Sequence, residues 1–190
     1  MNLLDAIAPA CGVLLRIAPG TFEHLGTAWS VGPGEWVTAW NGEEPPGADV
    51  QVMSVDTGAI APIADWECEN GIAGFTGLKI DAMLPVEREA ELAKRMPLVA
   101  VGYPCMIDHP SFRLHRGSLN TARYLPYLCP WTIHGHVGLF TADDGYLTGR
   151  FYTGMAGGPV LDEQRRVVGV LLDGGLAVDH PALTRFRRLA

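Results

Sequence analysis

Six histidines and four cysteines are the side chains that could move a proton or attack a carbonyl near neutral pH. His24, His109, His115, His134, His136 and His180 are the candidate bases, and Cys105 and Cys129 the candidate nucleophiles. His134 and His136 would share one face if their stretch is a strand. Cys129 lies close enough in sequence to suggest a metal cluster with them, but the spacing suits no common zinc site, and no metal or other cofactor is expected. Cys11, Cys68, Cys105 and Cys129 form no Cys-x-x-Cys pair and read as buried thiols of a reducing compartment. Asp143-Asp144 before Gly145 reads as a turn. The densest pattern carries no reactive side chain. It is Tyr152-Thr153-Gly154-Met155-Ala156-Gly157-Gly158-Pro159-Val160-Leu161, followed by the apolar run Val167-Val168-Gly169-Val170-Leu171.

That string resembles the Gly-x-Ser-Gly-Gly-Pro signature of the trypsin-like (chymotrypsin-fold) serine peptidases, with Ala156 where the family has its serine. The likeness extends along the chain. Gly26-Thr27-Ala28-Trp29-Ser30-Val31 resembles the family's Gly-Thr/Ser-Gly-Phe strand, and Trp36-Val37-Thr38-Ala39-Trp40-Asn41 its Val-Thr-Ala-Ala-His. Gly71-Ile72-Ala73-Gly74-Phe75 falls at Asp-Leu-Ala-Leu-Leu. Val99 to Pro104 is similar to the strand that opens the second barrel, and Arg116-Gly117-Ser118 to the Gly-x-Val-Ser strand. The short loops look like the bacterial, HtrA-type members. The resemblance implies an all-β protein of two six-stranded barrels with a cleft between them.

In this chemistry a serine attacks, a histidine takes its proton and an aspartate orients the histidine. The resemblance puts Asn41 at the histidine position, Gly71 (or Asn70, one residue earlier) at the aspartate position and Ala156 at the serine position. Asparagine does not titrate near neutral pH, glycine has no carboxylate and alanine no nucleophile. Loss of all three favours a natural pseudoprotease over a laboratory Ser→Ala change. The resemblance further implies an oxyanion-hole-like pair of amides on Gly154 and Ala156.

A cleft of this kind binds a peptide as an added strand. The resemblance places its walls at Trp40, Phe151 and Met155, and at Leu171, Leu172, Asp173 and Gly174. The expected function is therefore binding of a protein or peptide without cleavage, as a regulatory or scaffold component. Two alternatives stand beside it. One is a hydrolase with a relocated nucleophile. The other is a structural subunit working through an outer barrel surface, its cleft plugged by Trp40, Phe151 or Tyr152.

These positions need strands to hold them. Short apolar runs at Gly12–Ile17, Gly26–Val31, Glu35–Ala39, Val50–Val55, Ile72–Ile80, Leu98–Val101 and Arg113–Asn120 read as strands, with Gly32-Pro33-Gly34 as a turn and Asn41–Gly47 as a loop. Pro85–Lys94 and Pro181–Leu189 read as helices. One trypsin-like domain would then run over 1–190: barrel 1 at about 8–82, a linker at about 83–96, barrel 2 at about 97–178 and a C-terminal helix at about 181–189. The apolar fraction of 48% and charged fraction of 18% place the chain among globular proteins. A formal net charge of -7 argues against nucleic acid as partner. No stretch is apolar enough to span a membrane, and a cytoplasmic setting is expected.

Overall fold

A computed structural model describes residues 2–19, 21–42, 44–88, 90–104, 128–173 and 183–189 of the 190-residue chain. A short helix α1 (Leu3–Ile7) comes first, capped by Asn2, whose side-chain oxygen accepts the Asp5 amide at 3.0 Å. A 3-10 turn (Ala8–Ala10) then leads into the first sheet. Its strands are β1 (Cys11–Ala18), β2 (Thr21–Gly32), β3 (Glu35–Ala39), β4 (Val50–Ser54), β5 (Ile60–Pro62), β6 (Ala64–Glu69) and β7 (Ile72–Thr76). They are antiparallel in the order β5-β4-β1-β2-β3-β7-β6. The β2–β3 hairpin turns on Pro33 and Gly34, with Gly34 at φ +83°, as a type II turn requires after proline.

The two edge strands of this sheet, β5 and β6, are consecutive in sequence and separated only by Ile63. The chain kinks there: Asp65 takes φ +48° and the β6–β7 register shifts between Ala64 and Glu67. One bent segment thus pairs with β4 at one end and β7 at the other. The result is a seven-stranded half-barrel rather than the closed six-stranded barrel expected from the sequence.

The second sheet is a closed barrel of six strands. They are β8 (Pro97–Gly102), β9 (Trp131–Phe140), β10 (Asp144–Thr148), β11 (Pro159–Leu161), β12 (Val167–Asp173) and β13 (Leu183–Arg188), in the order β10-β13-β12-β11-β8-β9. The C-terminal segment corrects an expectation: residues 183–188 form a strand, not a helix. Thr184 and Phe186 are buried while their neighbours are half-exposed, which is the period of two. β13 joins β10 to β12 and so closes the barrel. A Cβ on Gly145 or Gly169 would run into the Phe186 ring, so these two glycines make its seat. Paired on both sides, the segment forms strand despite helix-like end signals. The strand expected at Arg113–Asn120 lies outside the described residues.

The second expected helix, at 85–94, is also not formed among the described residues. Its backbone groups are taken by the closed barrel instead. Val167 donates to the Pro85 carbonyl at 2.7 Å, and Glu87 donates to the Val167 carbonyl at 2.9 Å. Arg166 fastens this contact by pairing with both Glu87 and Asp162. The Asp162 carboxylate is buried and accepts from the Arg166 amide and Nε, each at 2.9 Å.

The apolar core falls into three clusters. One fills the half-barrel around Leu14, Trp36, Val52 and Phe75. Another fills the closed barrel around Leu98, Val137, Leu147, Leu171 and Phe186. The third lies between the sheets, where Cys11, Val13, Leu15 and Trp29 meet Tyr103, Leu161, Val167 and Val170. β1 therefore serves two cores, Leu14 facing one and its neighbours Val13 and Leu15 the other. Burial pushes the Cys11 thiol up to about 12 and the Tyr103 phenol well above its usual value, so neither ionises near neutrality. Cys68 and Cys129, by contrast, are exposed free thiols, which corrects the expectation of burial for both, while Cys105 lies outside the described residues.

Two stability predictions follow from these contacts. Burial lowers the pKa of His24 to about 4, with a hydrogen bond to the Gly26 backbone working the other way. The folded state holds this ring neutral while the unfolded chain protonates it below its usual value of 6.5. Stability is thus intact above pH 6.5 and falls as the pH drops towards 4. Urea titrations should show a loss of about 2 kcal/mol between roughly pH 7 and pH 5, and His24→Gln should flatten that slope. Asp162→Ala leaves Arg166 without its buried acceptor and should cost about 1–3 kcal/mol in the same assay.

Candidate functional site

The glycine-rich string forms a tight double turn where the two sheets meet. Gly154 sits at φ +93° and Gly157 at φ +88°, conformations that favour glycine. Met155 donates to the Tyr152 carbonyl at 3.1 Å, and Gly158 to the Met155 carbonyl at 3.0 Å. Gly157 donates to the Leu171 carbonyl and Leu171 to the Gly158 carbonyl, each at 2.8 Å, which ties the turn to β12. Side chains have no room here. A Cβ on Gly157 would collide with the Thr27 carbonyl and the Thr38 hydroxyl, and one on Gly158 with the Val101 carbonyl.

Thr27 of β2 holds the turn from the other sheet. Its amide donates to the Ala156 carbonyl at 2.8 Å, and its hydroxyl donates to the Gly154 carbonyl at 2.9 Å. The same hydroxyl accepts the Tyr103 amide at 2.9 Å, and the Thr27 carbonyl accepts the Thr38 hydroxyl at 2.7 Å. Thr27 and Thr38 are both fully buried. The sequence contains both within matched strands, but their role in clamping the turn emerges only from the fold. Among the described residues neither the Gly154 amide nor the Ala156 amide donates a hydrogen bond. Two donors on a rigid turn are an arrangement that can receive a carbonyl or carboxylate oxygen.

The positions matched to the triad come together at this seam. Asn41 is exposed, two residues past the end of β3. Its neighbour Trp40 donates its amide to the Gly71 carbonyl at 3.0 Å. Asn70 and Gly71 are the two-residue turn of the β6–β7 hairpin, at φ +53° and +82°, the left-handed pair of a type I′ turn. A Cβ on Gly71 would lie 3.8 Å from Leu172 of β12. Gly157, next to Ala156, packs against the Ala39 amide, with 2.9 Å to its Cβ position.

The residues expected to line the cleft divide. Met155 and Leu171 are fully buried in the closed-barrel core, so their side chains are not cleft walls and only their backbone faces the turn. Leu172 is buried and adjoins Gly71; Asp173 ends β12 opposite Arg185; Gly174 lies outside the described residues. Phe151 packs against the closed-barrel core. The Trp40 indole stands edge-on to Trp66 at 5.2 Å and donates to the Glu44 carbonyl at 2.9 Å, which draws it towards the half-barrel. Tyr152 meets the exposed Trp131 edge-on at 4.8 Å, with the Arg150 guanidinium 5.2 Å above its ring.

The other candidates sit apart from this turn or outside the description. His24 is buried in β2, and His134 and His136 lie on one exposed face of β9 near Asp162 and Glu163. Asp144 pairs with Arg187 at 2.7 Å and its amide donates to the Thr141 hydroxyl at 3.0 Å, so Asp143 lies in the bend before β10 and Asp144 opens the strand. His109, His115, His180 and Cys105 lie outside the described residues. No helix among the described residues is long and apolar enough to cross a membrane.

No family model matches the sequence, and no curated protein is similar to it. Solved structures do match. A Glu endopeptidase in complex with MPD superposes with a TM-score of 0.67 at 14% identity, over 100% of this chain and 89% of that one. The active form of the Rv3671c protease from M. tuberculosis gives 0.68 at 15% identity, over 97% of this chain and 78% of that one. A Ser→Ala mutant of the same protease in its inactive form gives 0.67 at 14%, over 97% and 83%. At such identities the likeness speaks for architecture: the chain has the trypsin-like serine protease fold.

Proposed function

We propose that this protein is a catalytically inactive homologue of the trypsin-like peptidases, a pseudoprotease that binds a protein or peptide segment at the seam of its two sheets as a regulatory or scaffold component. One observation carries the reading. The turn at Gly154–Gly158 offers two amide donors, while Asn41, Gly71 and Ala156 supply no base, no orienting carboxylate and no nucleophile. An extended segment would run along the end of β12 at Leu172 and Asp173, with a backbone carbonyl or terminal carboxylate on the Gly154 and Ala156 amides. Trp40 and Phe151 would flank it. Without a general base a bound carbonyl is held but not attacked. The exposed thiols of Cys68 and Cys129 suit a reducing, cytoplasmic setting.

Two experiments test this reading. A fluorophosphonate probe should label neither the native protein nor Ala156→Ser, because a serine restored alone has no base to activate it. Labelling of the native chain would mean a nucleophile elsewhere and overturn the reading. Affinity capture from the native host should recover a partner that is lost with Ala156→Arg, whose side chain obstructs the turn, while circular dichroism stays unchanged. A partner retained by that variant would move the function to an outer surface.

A further inference from the structure

A second groove, of about 740 Å³, opens on the outer side of the β6–β7 hairpin, facing the end of β13. It is lined by Glu67, Glu69 and Gly74 of the hairpin and by Arg187 and Arg188 of β13, with Arg88 beside them, and it reaches the hairpin turn at Asn70. Three of these charges are uncompensated. Among the described residues neither Glu67 nor Glu69 has a cationic partner. Arg188 bonds only neutral carbonyls, those of Ala90 and Ala142 at 3.0 Å and of Thr141 at 3.2 Å. Arg187, by contrast, is balanced by Asp144. The groove is thus lined by carboxylates and guanidinium groups that form no ion pair with one another among the described residues.

Gly74 adds an independent observation. It sits mid-strand in β7 between Val37 and Glu67, and no atom lies within 4 Å of where its Cβ would be. Neither packing nor a left-handed backbone requires glycine there. Glycine inside a strand costs roughly 0.5–1 kcal/mol relative to alanine, and it often marks the close approach of a ligand or another backbone. Here its effect is to keep the groove clear. The volume falls within the usual range of binding sites and has room for several residues of chain.

We propose that this groove is a second binding site, separate from the Ala156 turn, for an extended polypeptide segment that carries both a basic and an acidic residue. The basic side chain pairs with Glu67 and Glu69, the acidic one with Arg188, and the backbone between them crosses Gly74. Charges of opposite sign in the groove fix the direction of the segment and reject segments charged in one sense only.

The test is a displayed library of random decapeptides selected on the intact immobilised protein, followed by affinities for the enriched peptides in synthetic form. Selected sequences should contain Lys or Arg together with Asp or Glu. Their binding should weaken at least about tenfold in Gly74→Trp and in Glu67→Lys/Glu69→Lys, and persist in Ala156→Arg. If Gly74→Trp fails to fold, the glutamate variant carries the test, since those side chains make no contact that the fold needs. The proposal is overturned if no enriched peptide loses affinity in the glutamate variant, or if the enriched peptides carry charge of one sign only. Loss in Ala156→Arg alone would instead assign the peptide to the first site.

Discussion

One buried threonine joins the two halves of this molecule at the glycine-rich turn. Through its amide, hydroxyl and carbonyl, Thr27 engages the Ala156 and Gly154 carbonyls, the Tyr103 amide and the Thr38 hydroxyl. Each of these groups is buried or partly buried, where an unmet polar group costs about 1–3 kcal/mol. The half-barrel therefore cannot shift against the closed barrel without exposing several such costs together. The apolar interface around Trp29 and Tyr103 supplies bulk attraction between the sheets, and the threonine network supplies register. The glycines of the turn follow from it: Gly157 has no room for a side chain because Thr27 and Thr38 occupy that space.

The elements legible in the sequence were those whose signals are local. Glu35–Ala39 matched to the residue, and Pro33-Gly34 gave its turn, because alternation and a proline–glycine pair act over a few residues. The two expected helices failed for a shared reason. Each was read from end signals and charge spacing, and each backbone was claimed by a partner far away in sequence, Val167 for one and the strands β10 and β12 for the other. The alternation of buried Thr184 and Phe186 with half-exposed neighbours is the period of a strand, not of a helix. α1 was missed although Asn2 and Asp5 have a capping spacing.

The site divides in the same way. Its turn could be placed from its glycines, since left-handed backbone and close approach restrict residue type so sharply. The cleft walls were less legible, because sequence does not say which face of a strand looks inward: Met155 and Leu171 went to the barrel core. The uncompensated charges of the outer groove had no sequence signal at all. Glu67 and Arg188 are far apart along the chain, and only the hairpin's position relative to β13 brings them to one groove.

The hairpin turn at Asn70-Gly71 bears on which side chains the seam can accept. At Asn41 and Ala156 a new side chain asks little of the exposed or half-exposed surroundings. At Gly71 the backbone is left-handed, and a residue with a Cβ would carry a penalty of roughly 1–2 kcal/mol before doing anything useful. Aspartate and asparagine bear that backbone better than other residues, as Asp65 and Asn70 do in this chain, so a carboxylate there is costly rather than barred. The main chain thus grades the seam: at Asn41 and Ala156 side-chain chemistry alone decides what fits, and at Gly71 backbone conformation decides as well.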